Sequence, residues 1–299
     1  MKEKSARKAF LLALLAVLFW STSPTAFKIG LQHQDTLQLL TVATFTSVLV
    51  LGILLLPGKR YKKLAEFQWS DLRFSLMMGL LNPVAYYLIL FKAYSILPAQ
   101  VAQPLNMIWP IVLVIISIPL LKQKISWKSI GAMVISFSGI VVISMQGGSG
   151  GKDPENRLGI ILALSTSIIW AIYFIYNTRD QKDPVARLFL NFLFASIILL
   201  VIGLARGNLF AGSPQAIASA IYVGIFEMGI TFVLWLLAMQ YAPSSDRISN
   251  LVFMAPFINL IFVRLVLHET IFLTTLYGII LLISGILIQN MITRNAQKQ

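Results

Sequence analysis

Apolar residues run along this chain in ten long blocks, at about 9–31, 36–56, 72–92, 98–121, 128–146, 157–177, 185–205, 216–239, 246–267 and 270–292. Most are close to the roughly 20 residues an α-helix needs to cross the hydrocarbon of a bilayer. The polar connections between them are short and leave no room for a separate soluble domain. The pattern predicts an all-α polytopic membrane protein with ten transmembrane helices. Composition agrees: 58% of residues are hydrophobic, 12% are charged and the mean hydropathy is +0.81, whereas a soluble domain carries about twice that share of charge. The N-terminal basic cluster and apolar run have the outline of a signal peptide. Pro24 follows the small residues Ser21 to Ser23, however, and the run continues towards Gly30, so the segment is expected to stay as the first span.

Charge sets the orientation. With the N-terminus inside, 18 of the 24 Lys and Arg residues fall on inner segments and 6 on outer ones. Cytoplasmic loops hold the excess of Lys and Arg, so both termini are expected in the cytoplasm of a cell inner (plasma) membrane protein. The net charge of +13 is thereby assigned to topology and anionic headgroups, not to nucleic acid. The absence of cysteine excludes disulfides, thiolate metal sites and a cysteine nucleophile. His33 and His268 sit at loop edges without metal-ligand spacing, so neither metal nor cofactor is expected.

The stretch Gln146 to Pro154 is rich in glycine. It lacks the Lys-Ser/Thr ending of a phosphate-binding loop and reads as a linker. The halves on either side of it correspond. Trp20 and Trp170 begin similar stretches 150 positions apart, and Gly79, Ala93 and Pro98 match Gly224, Ala238 and Pro243, each 145 later. Pro110 corresponds to Pro256, and Gly131 and Gly139 echo Gly278 and Gly285. Each half has an odd number of spans, five, so the halves must cross in opposite senses. The expected architecture is two inverted five-helix repeats, 1–146 and 157–299, joined by a 147–156 linker. That layout is typical of secondary transporters with a substrate site near the midplane.

Glu227 is the one clear acid in the middle of a span. A carboxyl group at membrane depth is expensive and marks a functional site by default. With Thr231 at i+4 it makes a polar face, and its partner at the 145-residue offset is Asn82, with Tyr86 at i+4. Span six aligns Thr166, Trp170, Tyr173 and Asn177; span one aligns Ser21, Thr25 and Lys28, with Trp20 at the edge. Span four aligns Gln103, Asn106 and Pro110, with Trp109 adjacent. These faces are expected to line one cavity, with Glu227, Asn82, Tyr86, Trp109, Asn106, Gln103, Trp20, Trp170, Tyr173, Thr231 and Lys28 as substrate-binding candidates. An acid beside aromatic rings suits a cationic or amino-bearing ligand, and Glu227 is also the candidate for proton coupling. For Glu227 the alternative is a hydrogen bond that only fixes packing. Lys28 either snorkels to the headgroups, binds a carboxylate, or pairs with Glu227. Pro110 and Pro256 are candidate hinges, and Gly131, Gly139, Gly278 and Gly285 allow close helix packing, with either a monomer or a homodimer.

The segments Trp20 to Lys28, Ala93 to Pro98, Ala238 to Pro243, Trp109-Pro110, Pro256, Lys124 to Gly131 and Glu269 to Gly278 together resemble the drug/metabolite transporter superfamily in its ten-span EamA branch. The resemblance covers nearly the whole chain. It implies a secondary transporter, with proton or substrate antiport as coupling. The family often has an acid after the fourth span of each half. Glu269 supplies it in the second half and Lys124 replaces it in the first, so that position reads as structural here. Asn106 to Pro110 and Lys124 to Trp127 are most similar to the aromatic-amino-acid exporter branch, whose pattern does not include Glu227. Amino acids or related amines are therefore the expected substrates, with quaternary-ammonium or other cationic compounds as the alternative. A membrane-embedded enzyme is disfavoured: the chain has no HExxH motif, no cysteine and no histidine within a span.

Overall fold

The computed structural model describes residues 5–121, 127–145, 154–207, 209, 213–241 and 250–296, and among them no residue is in a strand. The helices are α1 (Ala6–Leu31), α2 (Thr36–Leu54), α3 (Trp69–Gly79), α4 (Tyr86–Ile96), α5 (Ala99–Asn106), α6 (Trp109–Leu121), α7 (Trp127–Ser144), α8 (Pro154–Arg179), α9 (Pro184–Arg206), α10 (Pro214–Tyr222), α11 (Ile230–Tyr241), α12 (Ala255–Val266) and α13 (Leu273–Ala296). Helix starts follow local chemistry. Asp35 and Gln38 form a reciprocal cap at α2, and Asp183 and Ser213 cap α9 and α10, each of which opens on a proline.

Seven helical stretches among the described residues are long and apolar enough to cross a membrane: Ala6–Leu31, Thr36–Leu54, Trp69–Ile96, Pro154–Asn177, Pro184–Arg206, Pro214–Tyr241 and Leu273–Ile292. The other three predicted blocks differ from expectation. Block 98–121 is not one helix but two, α5 and α6. Pro110 has no N–H to donate to Asn106, four residues earlier, and Asn106 is where α5 ends. Helices α7 and α12 are shorter, and α12 follows a tight turn at Asn250–Met254. Residues 147–153 of the expected linker lie outside the described residues, as do Lys124, Pro243 and Arg247, while 154–156 already open α8.

The distribution of side chains is that of a membrane protein turned inside out. Leu49, Ile53, Val141, Ile161, Val201, Leu204, Leu265 and Leu273 are exposed, whereas Ser21, Thr44, Asn82, Thr166, Asn191, Glu227 and Asn259 are buried. Helix α1 runs through the middle, against α10, α11, α12 and α4; α2 packs on α9, α8 on α4 to α6, and α7 on α13.

Two long spans are interrupted in the same way. Between α3 and α4 lies a π-helical turn, Leu80–Ala85, and between α10 and α11 another, Val223–Glu227. Pro83 explains the first: its missing N–H is owed to Gly79, the last residue of α3. Each interrupted span has 28 residues, and Asn82 and Glu227 are each the fourteenth.

Glycines set the closest approaches. A Cβ on Gly79 would sit 2.3 Å from the carbonyl oxygen of Asn191 on α9, and one on Gly224 would sit 2.4 Å from that of Ala43 on α2. Gly139, Gly278 and Gly285 bring α7 against α13, so these glycines are spent inside the chain and leave no argument for a dimer. Gly131, expected to do the same, has nothing within 4 Å of where its Cβ would be. Gly224→Ala is therefore expected to lower the thermal unfolding midpoint in detergent, at a cost of about 1–3 kcal/mol from overpacking. Gly131→Ala should be neutral or raise the midpoint slightly, since alanine is the better helix former.

Candidate functional site

Glu227 ends the second π-helical turn, only 9% exposed. The Tyr87 hydroxyl of α4 donates to its Oε1 at 3.0 Å, while the Ser23 hydroxyl of α1 donates to the Phe19 carbonyl of its own helix at 3.0 Å. Among the described residues no Lys or Arg forms an ion pair with it.

From Tyr87 a continuous wall of rings leads away. Tyr87 meets Tyr86 at 4.8 Å between centroids, Tyr86 meets Trp170 at 5.2 Å, Trp170 meets Phe232 at 5.8 Å, and Phe232 meets Trp20 at 6.1 Å. Trp235 closes on Trp20 at 5.3 Å, and Tyr173 on Trp170 at 5.7 Å. All lie in the range of favourable ring pairs. A hydrogen-bond chain stiffens the wall: the Tyr86 hydroxyl donates to Asn106 Oδ1 (3.2 Å), and Asn106 Nδ2 donates to Thr166 Oγ1 (2.7 Å). Elements of both halves of the chain thus contribute to one surface. Rings and a carboxyl group, with no fixed positive charge among them, form a surface for a cation with apolar bulk.

The remaining candidates are placed differently. Thr231 hydrogen-bonds the Phe226 carbonyl of its own span. Gln103 is buried, with its Oε1 unpartnered among the described residues. Trp109 leaves the wall and packs its half-buried ring on Phe174 at 5.4 Å. Pro110 and Pro256 both lie in the first turn of a helix, where a missing N–H is harmless. Asn82 is fully buried in the first π-helical turn, beside Tyr173.

Lys28 is half-buried and forms no ion pair with Glu227. It donates to the Tyr94 and Leu97 carbonyls (2.9 and 3.1 Å), covering the C-terminus of α4. Across that junction Glu269 accepts from the Ala99 N–H at 3.1 Å, covering the N-terminus of α5. Opposite charges thus complement the two helix ends. Gln100, 1% exposed, adds bonds to Glu269, Thr270, Phe272 and Thr275. An open cavity of about 400 Å³ lies here, lined by Lys28, Gln100, Glu269 and Phe272 among others.

At the opposite end, Arg187 is 2% exposed and holds Asp180 (2.5 Å), Asp71 (3.3 Å) and Ser75 (2.7 Å). Lys182 joins Asp71 at 3.0 Å. Periodicity did not point to Arg187, Tyr87, Ser23, Phe232 or Asn191. For Tyr87 the reason is the π-helical turn, which adds a residue, so that the face opened by Asn82 drifts past Tyr86. The signal for it was the proline at 83.

The EamA-like transporter family model matches residues 7–145 and again 157–291. An uncharacterized transporter, YvbV, of Bacillus subtilis (strain 168) is 25% identical over 95% of this chain and 92% of its own. The aromatic amino acid exporter YddG of Ancylobacter novellus is 24% identical over 79% of this chain and 81% of its own. A probable terminal-alkyne amino-acid exporter of Streptantibioticus cattleyicolor is 23% identical over 83% of this chain and 82% of its own. A protein of known crystal structure shares the fold with a TM-score of 0.65 at 20% identity, over 98% of this chain and 99% of that one.

Tyr87→Phe keeps the ring contacts with Tyr86 and Phe91 and removes only the proton given to Glu227. It is expected to destabilise the purified protein by about 1–3 kcal/mol in a thermal unfolding measurement, whereas Phe at the exposed Tyr61 should change nothing.

Proposed function

The chain belongs to the EamA-like transporter family, a multi-pass membrane transporter and not an enzyme, and from that premise we propose that it is a secondary active exporter of small amphiphilic amines, amino acids or their relatives. In this reading ten spans form two inverted five-helix repeats, 1–146 and 157–299, with a linker at 147–156 and both termini in the cytoplasm of the inner (plasma) membrane. Access alternates around a midplane site between the repeats. The twofold family match and the equal placement of Asn82 and Glu227 in their spans support the repeat. The exporters of amino acids among the relatives support the substrate class.

The observation that carries the reading is Glu227: an acid at mid-span, hydrogen-bonded by Tyr87 of the ring wall but without a counter-ion among the described residues. An ammonium group entering beside it supplies the missing charge, and a proton taking the same place discharges the site for the return step. Glu227 is thus both the substrate contact and the coupling group. Rings without a fixed cation would also accept a quaternary ammonium, which keeps cationic drugs as a second reading.

Proteoliposome efflux separates these. Aromatic amines and amino acids should leave loaded vesicles faster with an opposing proton gradient, and Glu227→Gln should slow them by about tenfold or more, the loss of one desolvated charge contact. Efflux that is indifferent both to the gradient and to the substitution sinks the role of Glu227. Efflux of tetraalkylammonium ions alone selects the second reading.

A further inference from the structure

The ring wall and Glu227 leave one buried polar cluster unused. Asn82 comes from the first π-helical turn, Tyr173 from α8 and Asn191 from α9, and they are 0%, 2% and 1% exposed. The phenol lies beside both amides. Yet five polar atoms, the amide N and O of Asn82 and of Asn191 and the Tyr173 hydroxyl, have no hydrogen-bond partner of good geometry among the described residues. Native interiors hold only a few such orphans per hundred residues, here five gather on three neighbouring side chains, and hydrocarbon offers no water to relieve them.

The three side chains are also held in place. Asn191 stands where Gly79 admits α3 to its closest contact with α9. Asn82 has extended, non-helical backbone at φ −145°, ψ 115°. The cluster is therefore built, and its polar atoms lie buried without partners of good geometry among the described residues.

Its chemistry restricts what completes it. Two amides and a phenol donate and accept in comparable number and carry no charge. Arg187, one turn earlier on α9, is committed to Asp180, Asp71 and Ser75, so it offers the site no free positive charge. A carboxylate here would be buried without a counter-ion, and a cation would find no carboxylate. A neutral group that both donates and accepts suits this set: a carboxamide, with two N–H donors and an oxygen of two lone pairs, meets up to four of the five atoms. Asn82 and Glu227 occupy the same position in spans of equal length, so the two sites lie at one depth. Trp170, touching Tyr86 on one side and Tyr173 on the other, joins them.

We propose that Asn82, Asn191 and Tyr173 form a second subsite, which takes an uncharged carboxamide or hydroxyl group of the transported amine while Glu227 holds its ammonium end. This rests on the reading of Glu227 given above. It makes an amine with a neutral second polar end a better ligand than either a bare amine or a zwitterion.

The test is binding to the purified full chain of three probes that share one aromatic ring: phenethylamine, phenylalanine and phenylalaninamide. Phenylalaninamide should bind about tenfold tighter than phenethylamine, and tighter than phenylalanine. That preference should disappear in Asn191→Leu and in Tyr173→Phe. Without ligand, Asn191→Leu should unfold at the same or a higher temperature, because it removes orphans and not bonds; an amide that merely held the helices together would do the opposite. Tyr173→Phe deletes one oxygen and keeps the ring, so it answers even where Asn191→Leu does not fold. Equal binding of the two amines, a preference that survives Tyr173→Phe, or tightest binding of phenylalanine would overturn the subsite. If phenethylamine still binds through Glu227 in those cases, the subsite falls alone. If neither amine binds, or binding ignores Glu227→Gln, the proposed function falls with it.

Discussion

Hydrocarbon offers no hydrogen bonds, and that single fact orders this molecule. A polar side chain carried into the bilayer is costly against lipid, so amides, hydroxyls and the one mid-span acid turn inward while leucine, isoleucine and valine face out. The ends of the helices obey the same demand with charge. Lys28 and Glu269 complement the two helix ends at the α4–α5 junction, and Arg187 gathers two aspartates where α3, α8 and α9 meet. Glu227, in the middle of its span, has a hydrogen bond from Tyr87 and no ion pair among the described residues.

Around that acid the protein arranges polarisable surface in place of counter-charge. Tyr87, Tyr86, Trp170, Phe232 and Trp20 touch in sequence and come from helices in both halves of the chain. A cation gains from such faces without being held as tightly as by a salt bridge. A transporter needs that moderation, since a ligand bound too well is not released.

Much of this was legible in the chain itself, and the exceptions share a cause. The apolar blocks located the helices because a bilayer imposes a length. The matching Trp, Gly and Pro positions paired Asn82 with Glu227, and both lie in π-helical turns. In span six Thr166, Trp170 and Tyr173 meet the third and fourth blocks along one side, because α8 is unbroken. Where regular periodicity fails, so did the faces drawn from it. Tyr87 and not Tyr86 reaches Glu227, Thr231 turns back on its own span, and Trp109 follows α6 away from the wall after the break that Pro110 imposes. Lys28 was ambiguous for another reason: its partners are backbone carbonyls, and no side-chain pattern announces those. Gly131 shows the limit of spacing, since a helix has only one face against its neighbour.

The position of the two breaks has a mechanical consequence. In the first interrupted span the arms α3 and α4 have 11 residues each, and in the second α10 has 9 and α11 has 12, so the arms are about 13–18 Å long at a rise of roughly 1.5 Å per residue. A swing of about 10° at such a joint displaces the far tip by about 2–3 Å, while the fulcrum barely moves. Side chains at the fulcrum keep their register whichever arm swings. The first of these spans has arms of equal reach, whereas in the second the same swing carries the tip of α11 further than that of α10.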